Sequence, residues 1–362
     1  MYNKIEQGII WLSAFEFISH KKEELILSIF NDAADMFANF GGKQPEIEKI
    51  VDGMNLDKML FANNDEFLKN YILRLEQMDV KIITIFSKGY PEKLKEVDSP
   101  PYILFCKGDT SLLNSDSIAI VGTRQPTTYG RGVTANFSKC LAENGFTIVS
   151  GLAYGVDTIA HESALEVDGK TIAVLAGGFN YIYPASNSNL SETISKKGLL
   201  VSEYKPSTQP STYTFPIRNR IIAGLCKGTL ITEAGERSGS LHTKEYALEC
   251  GRDIFVVPGN INSSASAGTN RLIKSCQSAC VTSFEDILSY YGKEKIDKQK
   301  KEIKQLSFDE DLIFGLLKDR DMTFEEICEK TSIETKKVNS YLTTLQIRGI
   351  IRKSQGNIFS IN

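Results

Sequence analysis

The segment Phe215–Gly259, FPIRNRIIAGLCKGTLITEAGERSGSLHTKEYALECGRDIFVVPG, decides the fold class. A helix is predicted over 218–226, with Ile217, Ile221, Ile222 and Leu225 recurring at helical spacing. An apolar strand (229–232), a Gly/Ser loop, a second helix and another strand follow. Such alternation marks βα units in a parallel sheet. The loop Gly235-Glu236-Arg237-Ser238-Gly239-Ser240 leaves a strand and opens a helix. Free backbone N–H groups and the positive helix end make that place an anion site. With Arg218 and Arg220 upstream, the stretch reads as a phosphate-binding surface; the plainer reading is a tight turn flanked by solvated arginines.

The alternation extends from Ser117 to Tyr291. Further strands are predicted at 118–121, 147–149, 171–175, 199–202 and 254–257, with helices near 130–143, 157–166, 187–196, 240–250 and 283–290. The expected class is α/β, with an extended Rossmann-like parallel sheet at its core. Polar, Gly-rich segments fall where strands end: Gly122-Thr123-Arg124, Ser150-Gly151-Leu152-Ala153-Tyr154-Gly155, Gly177-Gly178 and the loop from Gly235. Open α/β sheets bind ligands at those ends, at the point where strand order reverses.

The flanks read differently. Residues 1–79 have helical periodicity broken at Gly41-Gly42 and Asp52-Gly53, a small helical (SAM-like) domain without visible chemistry. The Rossmann-like domain is assigned to 80–291, opening with strands at 81–86 and 102–106. Residues 292–305, with six lysines and three acids, read as a solvated linker. Residues 306–362 give helical segments and a terminal strand pair, a winged-helix-like domain in which Thr323 and Glu326 have capping-box spacing. Lys336 and Lys337 lie on its second helix-turn-helix element, beside Glu334. Duplex-DNA reading, protein contact and dimer support are all open to this module.

The totals exclude some classes. With 362 residues, 24% charged and a net charge of −3, no bulk electrostatic field advertises a polyanion partner, so any such site is a local patch. Seven of eleven arginines do fall between 118 and 271. Seven scattered cysteines, without zinc spacing, read as reduced buried thiols in a cytoplasmic protein. The apolar run Ile9–Leu12 is bracketed by Glu6 and Glu16, so neither a signal peptide nor a membrane span is expected.

The text IAIVGTRQPTTYG, VSGLAYGVDTIAH, YPASN, FPIRNRIIAGL and ERSGSLHTKEYALECGRDIFVVPG resembles the DNA-processing protein A (DprA/Smf) family over about residues 80–290. The resemblance implies a protein that binds single-stranded DNA without reading sequence, dimerises, protects incoming DNA and loads the RecA recombinase onto it during natural transformation. A single-strand-binding protein joins the implied partners. Matched onto this chain, Gly122, Thr123 and Arg124 form the family's phosphate-contact loop, and Ser150 and Gly151 its second loop. Arg218, Asn219 and Arg220 lie in the Phe-Pro-x-Arg-Asn-Arg segment, with Arg237, Ser238, Gly239 and Ser240 in the Ser-Gly-Ser loop. Tyr154 stands where many members carry Arg or Lys. It removes a charge and offers a ring for base stacking, a contact of about 1–3 kcal/mol.

The competing class is a nucleotide hydrolase, because the layout also resembles phosphoribohydrolases. Those carry a catalytic Glu where this chain has Thr243, so the acid/base group is missing. Glu203 and Glu233 read as loop-organising acceptors. The text after the first parallel strand lacks G-x-G-x-x-G, and there is no Walker lysine motif. The expectation is a binder without cofactor, metal or catalytic residues.

Overall fold

A computed structural model describes residues 2–236, 238–295, 306–331, 333–347, 350–354 and 357–361. It divides into two compact units, the first reaching Lys295.

The first unit is built on a nine-stranded sheet. Its strands are β1 (Lys81–Thr84), β2 (Ile103–Gly108), β3 (Ser117–Val121), β4 (Thr147–Ser150), β5 (Thr171–Val174), β6 (Leu199–Ser202), β7 (Gly228–Ile231), β8 (Asp253–Val256) and β9 (Ala279–Cys280). The spatial order is β1-β2-β6-β5-β4-β3-β7-β8-β9. From β6 to β9 every pairing is parallel, whereas β1–β2 and β2–β6 are antiparallel. Strands β3 to β7 are buried throughout, as expected for a parallel sheet with both faces covered. The chain enters at β3, winds outward through β4 to β6, then returns to the other side of β3 as β7. The switch point therefore lies between β3 and β7, where Thr123 N–H donates to the Glu233 carbonyl at 2.8 Å.

The N-terminal helices pack on the outer strands. Trp11, Met36, Phe40 and Met59 are fully buried and share one apolar cluster with Ile82, Ile103 and Phe105 of β1 and β2. The Trp11 indole N–H finds the Ala62 carbonyl at 2.9 Å, so this ring brings no orphaned donor into the core.

Three elements differ from the sequence expectation. The helix expected from 218 starts at Thr214, because Pro216 falls in its first turn, where a missing N–H leaves no bond unmade. A helix over Ala267–Lys274 and the short edge strand β9 are not among the expected elements, and the two exposed residues of β9 carry no burial signal. Cys106 and Cys226 are the buried thiols; Cys276 and Cys280 are exposed, and all seven cysteines are free. No helix among the described residues is long and apolar enough to cross a membrane.

In the second unit, helix Phe308–Asp319, strand β10 (Met322–Thr323), helices Phe324–Thr331 and Thr335–Ile347, and strands β11 (Ile351–Ser354) and β12 (Ile358–Ile361) follow in order. The strands form an antiparallel sheet, β10-β12-β11. Ile313, Ile327, Val338, Leu345 and Phe359 are among its own buried core. Thr323 N–H donates to the Glu326 carboxylate (2.8 Å), and Glu326 N–H returns a bond to the Thr323 hydroxyl (3.3 Å). Of the linker segment 292–305, residues 296–305 lie outside the described residues.

Candidate nucleic-acid interface

At the switch point an open cavity of about 800 Å³ is bounded by the segments that follow β3, β4 and β7 and by the start of helix Thr214–Leu225. Gly122, Thr123, Arg124, Arg218, Asn219, Ser238, Gly239 and Ser240 all line it. These residues come from three distant parts of the sequence. Parallel strands carry them to one end, because every βα unit delivers its loop on the same side.

Each loop is held from beneath. The Glu233 side chain is 1% exposed and accepts from Thr127 N–H and the Thr127 hydroxyl, both at 2.7 Å. These bonds, with the Glu233 backbone contact to Thr123, fix the 122–127 loop. The Ser150 hydroxyl is spent on the Ile120 carbonyl at 2.7 Å. Asp157 accepts from Gly151 N–H (3.0 Å) and Ala153 N–H (3.3 Å), turning the loop after β4. Gly155, at φ +76°, could not carry a side chain, since a Cβ would come within 2.5 Å of the Thr123 carbonyl.

The two arginines of helix Thr214–Leu225 part company. Arg218 is 4% exposed, and its guanidinium donates to the Gly151 carbonyl at 2.7 Å and to the Val174 carbonyl. It ties the helix to the ends of β4 and β5 while one edge reaches the cavity. Burial pushes its pKa down to about 10, against the pull of nearby Asp157. Burial likewise raises the Asp157 pKa, with Arg218 acting in opposition. Arg220 lies on the other side of the helix, 6% exposed, paired with Glu203 at 2.5 Å. It lines a separate cavity of about 480 Å³, with His20, Glu24 and Tyr246. The cavity beside β3 therefore gathers Arg218 but leaves out Arg220, and Ser150, Gly151 and Tyr154 support or flank it without lining it. Arg237 lies outside the described residues.

Arg124 is the available charge. It is exposed, and neither ion pair nor hydrogen bond engages it among the described residues. Its guanidinium sits 5.6 Å from the centre of the Phe215 ring. Phe215 meets Tyr183 edge to face at 5.3 Å, and Tyr183 meets Tyr154 at 6.4 Å. Tyr154 and Tyr183 are each 46% exposed, so a row of rings runs out from the cavity. The sequence reading offers Tyr154 as a stacking ring but not the row that it joins. Asp157, Tyr183, Thr212 and Phe215 line the cavity without being among the expected contacts.

His161, four residues beyond Asp157, turns into the packing. Its Nδ1 lies 2.6 Å from the Thr171 hydroxyl, which itself donates to the Ile148 carbonyl at 2.7 Å. Thr171 therefore accepts from His161 Nδ1–H. Burial, with the Arg218 charge adding to it, pushes the His161 pKa down to about 3. Unfolding restores a value near 6.5, so the unfolded chain takes up the extra proton. The stability from neutral His161 is present above about pH 6.5 and is lost as pH falls toward 3, by at most about 1.4 kcal/mol per unit. Asp157 contributes with opposite sign above its ordinary pKa. The check is therefore a difference: urea unfolding of His161→Gln at pH 7, 6 and 5 should show a flatter decline than the parent.

A mostly parallel sheet with an open, arginine-lined cavity at its switch point defines a Rossmann-like domain. Residues 81–292 match the family model described as DNA recombination-mediator protein A. The chain belongs to that family. It is 42% identical to the DNA processing protein DprA of Bacillus subtilis (strain 168), over 61% of this chain and 74% of the relative. It is 38% identical to protein Smf of Escherichia coli (strain K12), over 73% and 72%. The X-ray structure of DNA processing protein A from Streptococcus pneumoniae superposes with a TM-score of 0.65 at 34% identity, covering 80% of this chain and 98% of that one. DNA processing protein A from Helicobacter pylori, whose structure addresses a single-stranded DNA binding mode, gives 0.54 at 33% identity, covering 58% and 95%.

Proposed function

We propose that the switch-point cavity holds the phosphates of single-stranded DNA while bases stack along the Phe215–Tyr183–Tyr154 row. The observation that carries this reading is Arg124: an exposed guanidinium without an ionic partner among the described residues, set over Phe215 at the mouth of the cavity. Guanidinium forks and backbone N–H groups grip phosphate without reading sequence, and every base offers a face to an aromatic ring. In this reading Gly122, Thr123, Asn219 and Ser238–Ser240 line the phosphate path. Arg218 supplies field and rigidity, Arg220 acts at a distance from the strand, and Arg237 adds charge at the Ser-Gly-Ser loop.

The kinship with DNA processing proteins supports the wider role: a cytoplasmic DNA-handling protein that works as a homodimer, protects incoming strands and delivers them to the RecA recombinase in transformation and recombination, alongside single-strand-binding protein. The helix and strand order of the second unit supports a winged-helix-like assignment. Binding without catalysis is favoured over nucleotide hydrolysis. The carboxylate lining the cavity, Asp157, already accepts two backbone N–H groups, and Glu233 and Glu203 are engaged by Thr127 and Arg220.

Anisotropy of a labelled dT oligomer, titrated at several salt concentrations, tests the site. Arg124→Ala should weaken binding about 10- to 100-fold, as expected for a charged hydrogen bond of about 1.5–3 kcal/mol. It should also flatten the logarithmic salt slope by about 0.7. Unchanged affinity would remove Arg124 from the site and the reading with it.

A further inference from the structure

The second unit segregates its charge along the chain. Residues 306–334 contain nine acidic and three basic residues, whereas 335–361 contain five basic residues and no acid. Folding converts part of this into a surface. Lys336, near the start of helix Thr335–Ile347, and Lys353, on β11, line one groove of about 390 Å³ together with Asn339 and Asn357. All four are exposed. Neither lysine has a carboxylate partner among the described residues, while Glu326 and Glu310 are engaged in caps elsewhere in the unit.

We infer that this groove seats the sugar–phosphate backbone of duplex DNA, with helix Thr335–Ile347 entering the major groove. Two unpaired cations and two amides suit phosphate and sugar oxygens. The rings near them offer unpaired bases little surface. Phe359 is 4% exposed beneath Lys353, and the half-buried Tyr341 donates its hydroxyl to Asp309 at 3.0 Å. The groove is lined by one half-buried ring, Phe324, and one buried ring, Phe359, and so offers unpaired bases less stacking surface than the row of rings in the first unit. A 13-residue helix flanked by a strand pair has the dimensions that a groove about 12 Å wide admits.

The test uses the full chain and a labelled 20-base-pair duplex at 50–200 mM salt. The double variant Lys336→Glu/Lys353→Glu should lose at least tenfold in duplex affinity, and its salt slope should flatten by about 1.8, two phosphate contacts' worth. Lys336→Ala/Lys353→Ala should shift both readings in the same direction by less. Binding of the dT oligomer should survive both variants, and duplex binding should survive Arg124→Ala, so failure of this site is distinguishable from failure of the first. The inference is overturned if the parent chain does not bind the duplex, or if the lysine variants bind it unchanged. It is also overturned if polyglutamate of equal charge displaces the duplex at equal concentration, which would make the face one for an acidic polypeptide.

Discussion

Arg218→Ala is expected to cost about 3–5 kcal/mol of folding stability, more than any loss from exposed arginines. The deletion strands two buried carbonyls, those of Gly151 and Val174, and withdraws the cation that offsets buried Asp157. Each unmet buried acceptor costs about 1–3 kcal/mol, and an uncompensated buried charge costs more. With a urea slope of about 3 kcal/mol per M, the unfolding midpoint should drop by roughly 1–1.7 M. Arg218→Lys should rescue little, because one ammonium cannot reproduce the planar fork that reaches two carbonyls. An Arg218→Ala protein with an unshifted midpoint would show that the guanidinium is no cross-tie and is free to serve a ligand. The contrast with Arg124→Ala is the useful part: there, affinity should fall while the midpoint stays put.

Glu233→Ala is expected to be the second large loss, about 2–4 kcal/mol, from two short bonds accepted by a carboxylate with 1% exposure. The effect should reach the ligand as well. The carboxylate fixes Thr127, Thr127 begins the helix over Thr128–Glu143, and the loop between that helix and β3 presents Arg124. Binding of dT oligomers should weaken at least tenfold, with its salt slope unchanged because no phosphate contact is removed. Glu233→Gln tests the role of the group. An amide can accept one of the two bonds but sets an N–H against the other donor, so partial loss is expected. Full stability and full binding in Glu233→Ala would refute the loop-holding role and reopen a catalytic one.

The sheet was legible because buried parallel strands are apolar runs of fixed length between helical periods, and β6 lies at the bounds read from the sequence. The site was legible as a set of loops, since strand ends in such a sheet converge whatever their side chains. What escaped the sequence was direction. Arg218 and Arg220 are two residues apart, and positions i and i+2 of a helix do not share a face. The fold accordingly sends one to the cavity and the other to Glu203. Grouping them by charge ignored the 3.6-residue period that had defined the helix. The aromatic row escaped for a different reason: Tyr154, Tyr183 and Phe215 meet through tertiary packing, and no local pattern encodes that meeting. Strand β9 escaped because two exposed residues carry no burial signal.

The reversal of strand order at β3 has a consequence for how the molecule comes into being. One wall of the cavity is synthesised by Arg124, another by Asp157, and the last only when Ser240 and Thr243 emerge. Between them the chain must lay down an entire outer half of the sheet and return across β3. A nascent chain stalled at Leu225 would own most of the arginine chemistry and no cavity in which to use it. On the proposed reading, the cavity that would hold a polyanion is complete only after β7 and the helix that follows it have been made, so a shorter nascent chain should not capture nucleic acid through this site.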